Sequence, residues 1–262
     1  GENAHEFRLT PWHNDPVGDP GGEAIYLRDE ETGQLWSPTP LPASAGAAFT
    51  VRHGFGYSVF ETRVHGIRSV LTVFVALDAA VKFQVLELTN TSGRPRRLSV
   101  TGYVEWTLGG TRTRSAPHIV THATRPPGGC GVLANNFYGD NGGGRTAFFA
   151  VSGNNCSLTG DRREFIGRNG SLHAPSAMKL QKLSGKTGAG LDPCGAVQSA
   201  VTLIDGDQRT FIFILGAEEN DVCVQETLAR YMNEDTVRQE LNRIHNHWHK
   251  VLDKIVVNTP DT

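Results

Sequence analysis

Residues 81–90, VKFQVLELTN, and residues 68–77, RSVLTVFVAL, decide the fold. In both, apolar and polar or β-branched side chains alternate with a period of two, which is how a strand with one wet face reads. Working outward, the same signal recurs at residues 24–28, 48–53, 58–65, 97–108 and 118–123, then at 131–135, 146–152, 197–204 and 209–215. Glycine-bearing turns of hairpin type separate these runs at residues 29–33, 90–93, 142–144 and 205–206. Short strands in that number and at that spacing predict a mainly β fold, two antiparallel sheets packed as a β-sandwich.

Length and charge narrow the class further. A chain of 262 residues buries a large core, hiding roughly 75% of its unfolded surface, and one β domain of that size is ordinary. The net charge of −2 lacks the basic footprint of a nucleic-acid binder. No stretch approaches the roughly 18 consecutive apolar residues of a membrane span, and the amino terminus shows no basic and then apolar leader. Cys130, Cys156, Cys194 and Cys223 lie far apart with no Cys-x-x-Cys pair, so neither a zinc ribbon nor a thioredoxin-type site is indicated, and four free thiols are expected.

The last forty or so residues change period. Val224, Leu228 and Tyr231 recur at helical spacing, and after Asn233 the set Val237, Leu241, Ile244, Trp248, Leu252 and Ile255 forms a continuous stripe. Asn233 is a natural N-cap, with Glu234 and Asp235 in the first turn. A stripe of that length rests on the sheet of its own domain or on a partner. Residues 256–261 read as an extended exit.

Residues 9–42 stand apart as a proline-rich, acid-bearing run that contains Trp12 and Trp36. Loops held on a rigid scaffold often carry binding residues, and Trp12, between Pro11 and His13, offers a flat apolar face suited to a pyranose ring. The alternative is that both tryptophans plug the ends of the sandwich.

Other candidate chemistry is thin. His245, His249 and Asp253 share one helix face, but the glutamate of a His-Glu-x-x-His metal helix is missing, which favours a solvated face. Residues 139–146, GDNGGGRT, lack the lysine of a phosphate-cradling loop and read as a turn, and no Gly-x-Ser-x-Gly elbow is present. Glu61, Glu87 and Glu105 fall on strands, where glycoside chemistry would need paired carboxyls and the wet face of a sheet is the default explanation. Residues 52–57, RHGFGY, are more pointed: glycines bracket an aromatic residue, and such glycines let backbone approach a ligand or neighbouring chain closely, unless the run is a plain hairpin.

Five runs carry a likeness to a known family. They are residues 9–42, LTPWHNDPVGDPGGEAIYLRDEETGQLWSPTPLP; 49–61, FTVRHGFGYSVFE; 96–106, RRLSVTGYVEW; 161–175, DRREFIGRNGSLHAP; and 191–203, LDPCGAVQSAVTL. With these runs in this order, nearly the whole chain resembles the amino-terminal β-sandwich of glycoside hydrolase family 94, and within it the phosphorylase-like modules that process β-1,2-glucan. The resemblance implies a galactose-mutarotase-like supersandwich over residues 1–219 and linker helices over 220–262. These would lead to an (α/α) barrel bearing the catalytic aspartate.

It implies further that the chain is a non-catalytic part of an enzyme, with inorganic phosphate as co-substrate of the parent module and no cofactor of its own. A β-glucan oligosaccharide, the barrel of the same parent chain and a second copy in a homodimer are the implied partners. The implied location is cytoplasmic, as a soluble part of an inner-membrane parent protein. Trp12 and Tyr57 are then expected to stack on sugar, Asn14 and Asp15 to recognise hydroxyls, and Arg52 and His53 to contact an anion or hydroxyl. The start departs from the family pattern: Ala4 and His5 follow Glu2 and Asn3 where the family continues its Glu-Asn run differently. A strand is therefore expected to be missing, leaving an open sheet edge. Autonomous glucan binding and a mutarotase-like epimerase activity are the competing readings.

Overall fold

A computed structural model describes residues 8–12, 17, 21–138 and 144–254. The strands are β1 (Glu23–Asp29), β2 (Leu35–Trp36), β3 (Phe49–Gly54), β4 (Tyr57–Val64), β5 (Ile67–Val75), β6 (Val81–Asn90) and β7 (Arg96–Glu105). After the short helix α1 (Arg112–Ser115) come β8 (Ile119–Thr124), β9 (Gly129–Asn136), β10 (Thr146–Ser152) and β11 (Cys156–Asp161). Then follow helix α2 (Arg162–Ile166), β12 (Pro193–Leu203), β13 (Gln208–Glu218) and the helices α3 (Asp221–Tyr231) and α4 (Glu234–Leu252). All pairings are antiparallel, in a five-stranded sheet ordered β11-β12-β7-β1-β2 and an eight-stranded sheet ordered β3-β4-β5-β6-β13-β10-β9-β8.

Three buried clusters explain the layering. Between the sheets, Leu27, Trp36, Val100 and Trp106 meet Leu71, Leu86, Phe149 and Phe213. Gly102 in β7 lies so close to Phe213 and Phe149 that a Cβ there would stand 2.6 Å from the first ring, so only glycine lets the two sheets approach at this point. On the outer side of the eight-stranded sheet, Phe74, Phe83, Phe148, Ile212 and Ile214 pack beneath Val224, Leu228 and Tyr231 of α3 and Val237 and Ile244 of α4. On the outer side of the five-stranded sheet, Tyr26 and Tyr103 are roofed by Phe165, Ile166, Met178 and Leu183. A sheet covered on both faces loses strict alternation, which is why residues 211–215 of β13 are buried without a break.

The sandwich and both terminal helices match the period-two and helical readings. Asn233 caps α4 through its side chain, which accepts from the amides of Asp235 and Thr236, and Asn220 caps α3 in the same way. Leu252, placed in the apolar stripe by its spacing, is exposed; Ile255, residues 256–261, residues 142–143 of one expected turn and the altered start lie outside the described residues. Strands β2 and β11 and the roof over residues 162–183 are additional to the sequence-based set. The expectation of four free thiols is corrected: Cys130 of β9 and Cys156 of β11 pair across the two sheets with Cα atoms 6.2 Å apart, within disulfide reach, while Cys194 and Cys223 stay free. None of the described helices is long and apolar enough to cross a membrane.

One corner ties the sheets together. Asn90, fully buried where the chain leaves β6, donates through Nδ2 to the carbonyls of Arg94 and Leu203. Beside it, Arg96 pairs with Asp29 and donates to the His65 carbonyl, so one guanidinium joins both sheets. The Asp29 carboxylate also accepts from the Glu31 and Thr32 amides, closing the turn at residues 29–33 that the sequence predicts.

Candidate functional site

The amino-terminal segment is seated by its backbone. Leu9 accepts from the Thr107 amide, and Arg8 and Gly109 exchange hydrogen bonds, so Leu9 and Thr10 are buried. Trp12 then emerges with 46% of its surface exposed, its ring capped on one side by the Arg8 guanidinium 5.1 Å from the centroid. Asn14 and Asp15 lie outside the described residues. Trp36, by contrast, is fully buried. The two tryptophans of this run therefore split: Trp36 plugs the sandwich and Trp12 is open.

Behind Trp12, Pro11 and Gly21 border a cleft of about 610 Å³ whose other walls are Leu41, Pro42 and His173. Its charged floor is fully paired. Glu23 accepts from Thr10 Oγ1 at 3.0 Å and Gln84 Nε2 at 3.2 Å and holds Lys82 Nζ at 2.7 Å. Glu105 receives Arg112 Nε and Arg162 Nε, each at 2.8 Å, and both arginines also reach Asp192. Tyr103 Oη donates to Glu105 as well, at 3.1 Å. Glu105, Arg162 and Asp192 come from three of the sequence runs quoted above, so those runs converge on one charge network. Their spacing along the chain carried no sign of it, because β7, α2 and the start of β12 are brought together only by the sheet order.

Burial opposes the charge on Glu23, but the charge and hydrogen bond of Lys82 help to outweigh it, and the pKa falls from 4.5 to about 2. A depressed carboxylate pKa stabilises the fold fully above its unfolded value and ceases to do so as pH falls through the folded one. Glu23→Gln is therefore expected to flatten the loss of stability between about pH 4.5 and 2. Urea unfolding at steps across that window checks it, and an acid limb identical to that of the parent chain would refute it.

Arg52, His53 and Tyr57 lie elsewhere, on the β3–β4 hairpin at the edge of the eight-stranded sheet. Arg52 pairs with Glu61 at 3.0 Å, and Glu61 also binds Arg68 at 2.7 Å; these two arginines hold the Glu61 carboxyl below its ordinary value. His53 Nδ1 lies 2.8 Å from Ser58 Oγ. Tyr57 is half-buried, its ring 4.4 Å from that of His245 on α4. Phe55 meets His249 edge-on, and Gly56 sits at φ +82° with Trp248 so close that a Cβ would lie 2.5 Å from its Nε1. The glycine-bracketed turn thus approaches a neighbouring helix of its own chain. Among the described residues no cluster of three metal-ligating side chains occurs; His249 hydrogen-bonds Asp253 at 2.8 Å.

Residues 1–234 match the family model described as "Glycosyl hydrolase 94, supersandwich domain". The chain is 35% identical over 263 residues to the cyclic beta-(1,2)-glucan synthase NdvB of Rhizobium meliloti (strain 1021), covering 99% of this chain and 9% of that protein. It is 27% identical over 259 residues to the N,N'-diacetylchitobiose phosphorylase of Vibrio furnissii, covering 97% of this chain and 32% of that protein. A bacterial glucoamylase complexed with acarbose shares the fold, with a TM-score of 0.58 at 9% identity over 89% of this chain and 32% of the other. The chain thus spans between 9% and 32% of the length of these two curated relatives. By this match, and by its two antiparallel sheets with helices at the carboxy-terminal end, the chain belongs to the glycosyl hydrolase 94 supersandwich family.

Proposed function

We propose that this chain is a non-catalytic, carbohydrate-associated domain of a larger glucan-processing enzyme of the cyclic β-1,2-glucan synthase or glycoside phosphorylase kind. In it, residues 1–219 form the sandwich and residues 220–262 the linker toward an (α/α) barrel. It shapes the mouth of the active site and contributes to dimer contacts. The observation that carries this reading is the end-to-end alignment of the chain with a small fraction of a glucan synthase. The cleft supports it chemically: a glycosidase acid needs a raised pKa, whereas Glu23 is held at about 2.

On this reading Trp12, with Asn14 and Asp15, faces sugar or barrel, Arg52 and His53 offer polar contacts at the sheet edge, and Tyr57 acts through its seat on α4. The test is phosphorolysis of a linear β-1,2-linked gluco-oligosaccharide with inorganic phosphate. This chain alone is expected to release no glucose 1-phosphate, whereas the parent protein carrying the barrel releases it. Turnover by the chain alone, abolished by Glu23→Gln, would overturn the proposal.

A further inference from the structure

Apart from the cleft and the hairpin, one surface combines open aromatic rings with unspent polar groups, and it lies at the end of β9. Phe137 and Tyr138 are 71% and 56% exposed, although large rings in a folded domain are ordinarily covered. They are held in place. The Phe137 amide donates to the His118 carbonyl at 3.2 Å, and the Tyr138 amide donates to Asn136 Oδ1 at 2.9 Å. Asn136 is itself anchored by donating through Nδ2 to the Leu108 carbonyl at 2.8 Å. The Tyr138 ring stacks on His118, with centroids 4.5 Å apart and planes 19° from parallel.

Phe137 forms one wall of a cleft of about 500 Å³, whose other walls include Asn135, Arg145, Glu219, Asp221 and Val222. Internal bonding in that wall is limited. Asn135 Nδ2 donates to Thr146 Oγ1 at 2.8 Å, and Thr146 Oγ1 donates to Asp221 Oδ1 at 2.6 Å. That chain of bonds fixes the Asn135 amide and one Asp221 oxygen, and leaves the Asn135 Oδ1 and Asp221 Oδ2 lone pairs to accept from hydroxyls.

We infer that Phe137, Tyr138 and the Asn135–Asp221 wall form a binding site for a β-linked gluco-oligosaccharide. A β-glucose unit carries its substituents equatorially, so each face presents axial C–H bonds to a flat ring, while its rim of hydroxyls needs acceptors and donors arranged around that ring. The fixed rings supply the first, and Asn135, Asp221 and the exposed Arg145 supply the second. The mixture of both signs of charge and neutral amide beside bare aromatic faces suits a neutral polyol better than an anion or an apolar helix. The inference rests on the carbohydrate reading above but uses residues that reading does not.

The experiment is an NMR titration of the whole chain with a linear β-1,2-linked gluco-oligosaccharide. Amide shifts are expected at Asn135, Phe137 and Tyr138, with saturation at millimolar sugar. Phe137→Ala, at a site too exposed to unfold the domain, is expected to weaken binding about tenfold. Arg145→Gln should weaken it by a smaller factor, and Ile204→Ala, at an exposed position between β12 and β13, should leave it unchanged. No shifts at millimolar sugar, or shifts that survive Phe137→Ala, would overturn the site. So would sugar-silent variants that instead lose association with a downstream barrel fragment, because the surface would then be an interdomain contact. Failure here leaves the phosphorolysis result standing, and turnover by the chain alone would leave this site standing, so the two proposals fall separately.

Discussion

Arg96→Ala is expected to cost about 3–5 kcal/mol of stability, the magnitude found when one partner of a buried ion pair is removed. Asp29 is wholly buried and Arg96 nearly so, with 3% of its surface exposed. Truncation leaves the Asp29 carboxylate with its two turn amides and no counter-charge, and leaves the His65 carbonyl without the Arg96 donor. Burial alone would raise the Asp29 pKa, but Arg96 and the turn amides outweigh it and hold the carboxyl below its ordinary value. That sign makes a second, independent readout. Asp29 stabilises the native state when ionised and ceases to do so as pH falls through its folded pKa. Protonating Asp29 also removes the uncompensated charge in the variant, so the gap between parent and Arg96→Ala should narrow in acid. Urea unfolding at neutral pH and again well below the usual aspartate range checks both statements. A gap below about 1 kcal/mol at neutral pH, as for an exposed pair, would show that water reaches this corner.

The second large effect is expected at Trp36. It is fully buried between the sheets, its ring edge-on to His65 with centroids 5.6 Å apart. Its strand is only two residues long, so backbone pairing contributes little and the side chain itself holds β2 against β1. Trp36→Ala should cost about 3–5 kcal/mol, by lost burial and by the cavity it leaves. For a chain of this length that corresponds to a lowering of the melting temperature by roughly 6–20 °C. Trp12→Ala is the internal control, expected to change stability by about 0.5 kcal/mol or less because the ring is nearly half exposed. Thermal melts of the two variants side by side check the contrast; equal effects would mean that Trp12 is covered in solution.

These two tryptophans show how far the chain could be read unaided. Both sit in one proline-rich run, for which composition offered two readings: a surface with Trp12 turned to sugar, or two tryptophans that plug the sandwich. The β1–β2 pairing, Leu27 with Trp36, turns the second ring inward, whereas the backbone bond from Thr107 to Leu9 leaves the first outside. The hairpin at residues 52–57 shows the same limit. Its glycines announced a close approach, but that α4 of the same chain is what approaches follows from the helix lying across Phe74 and Ile212. The pair Phe137 and Tyr138 gives no signal in the sequence, because it follows a strand in a glycine-rich stretch, where residue types indicate a turn and carry no measure of exposure.

What the sequence by itself determined is local: strands where side chains alternate, turns where glycine permits them, a helix where Asn233 caps an apolar stripe, and the family through runs kept in order. Strand period and capping depend on neighbours a few residues away, so they are written in the chain directly. Only the tertiary structure decided which residues meet: Glu105 with Arg162 and Asp192, Arg96 with Asp29, Cys130 with Cys156. Those meetings depend on the order of strands across two sheets, a choice set by the summed burial of the three clusters. No single segment carries that sum.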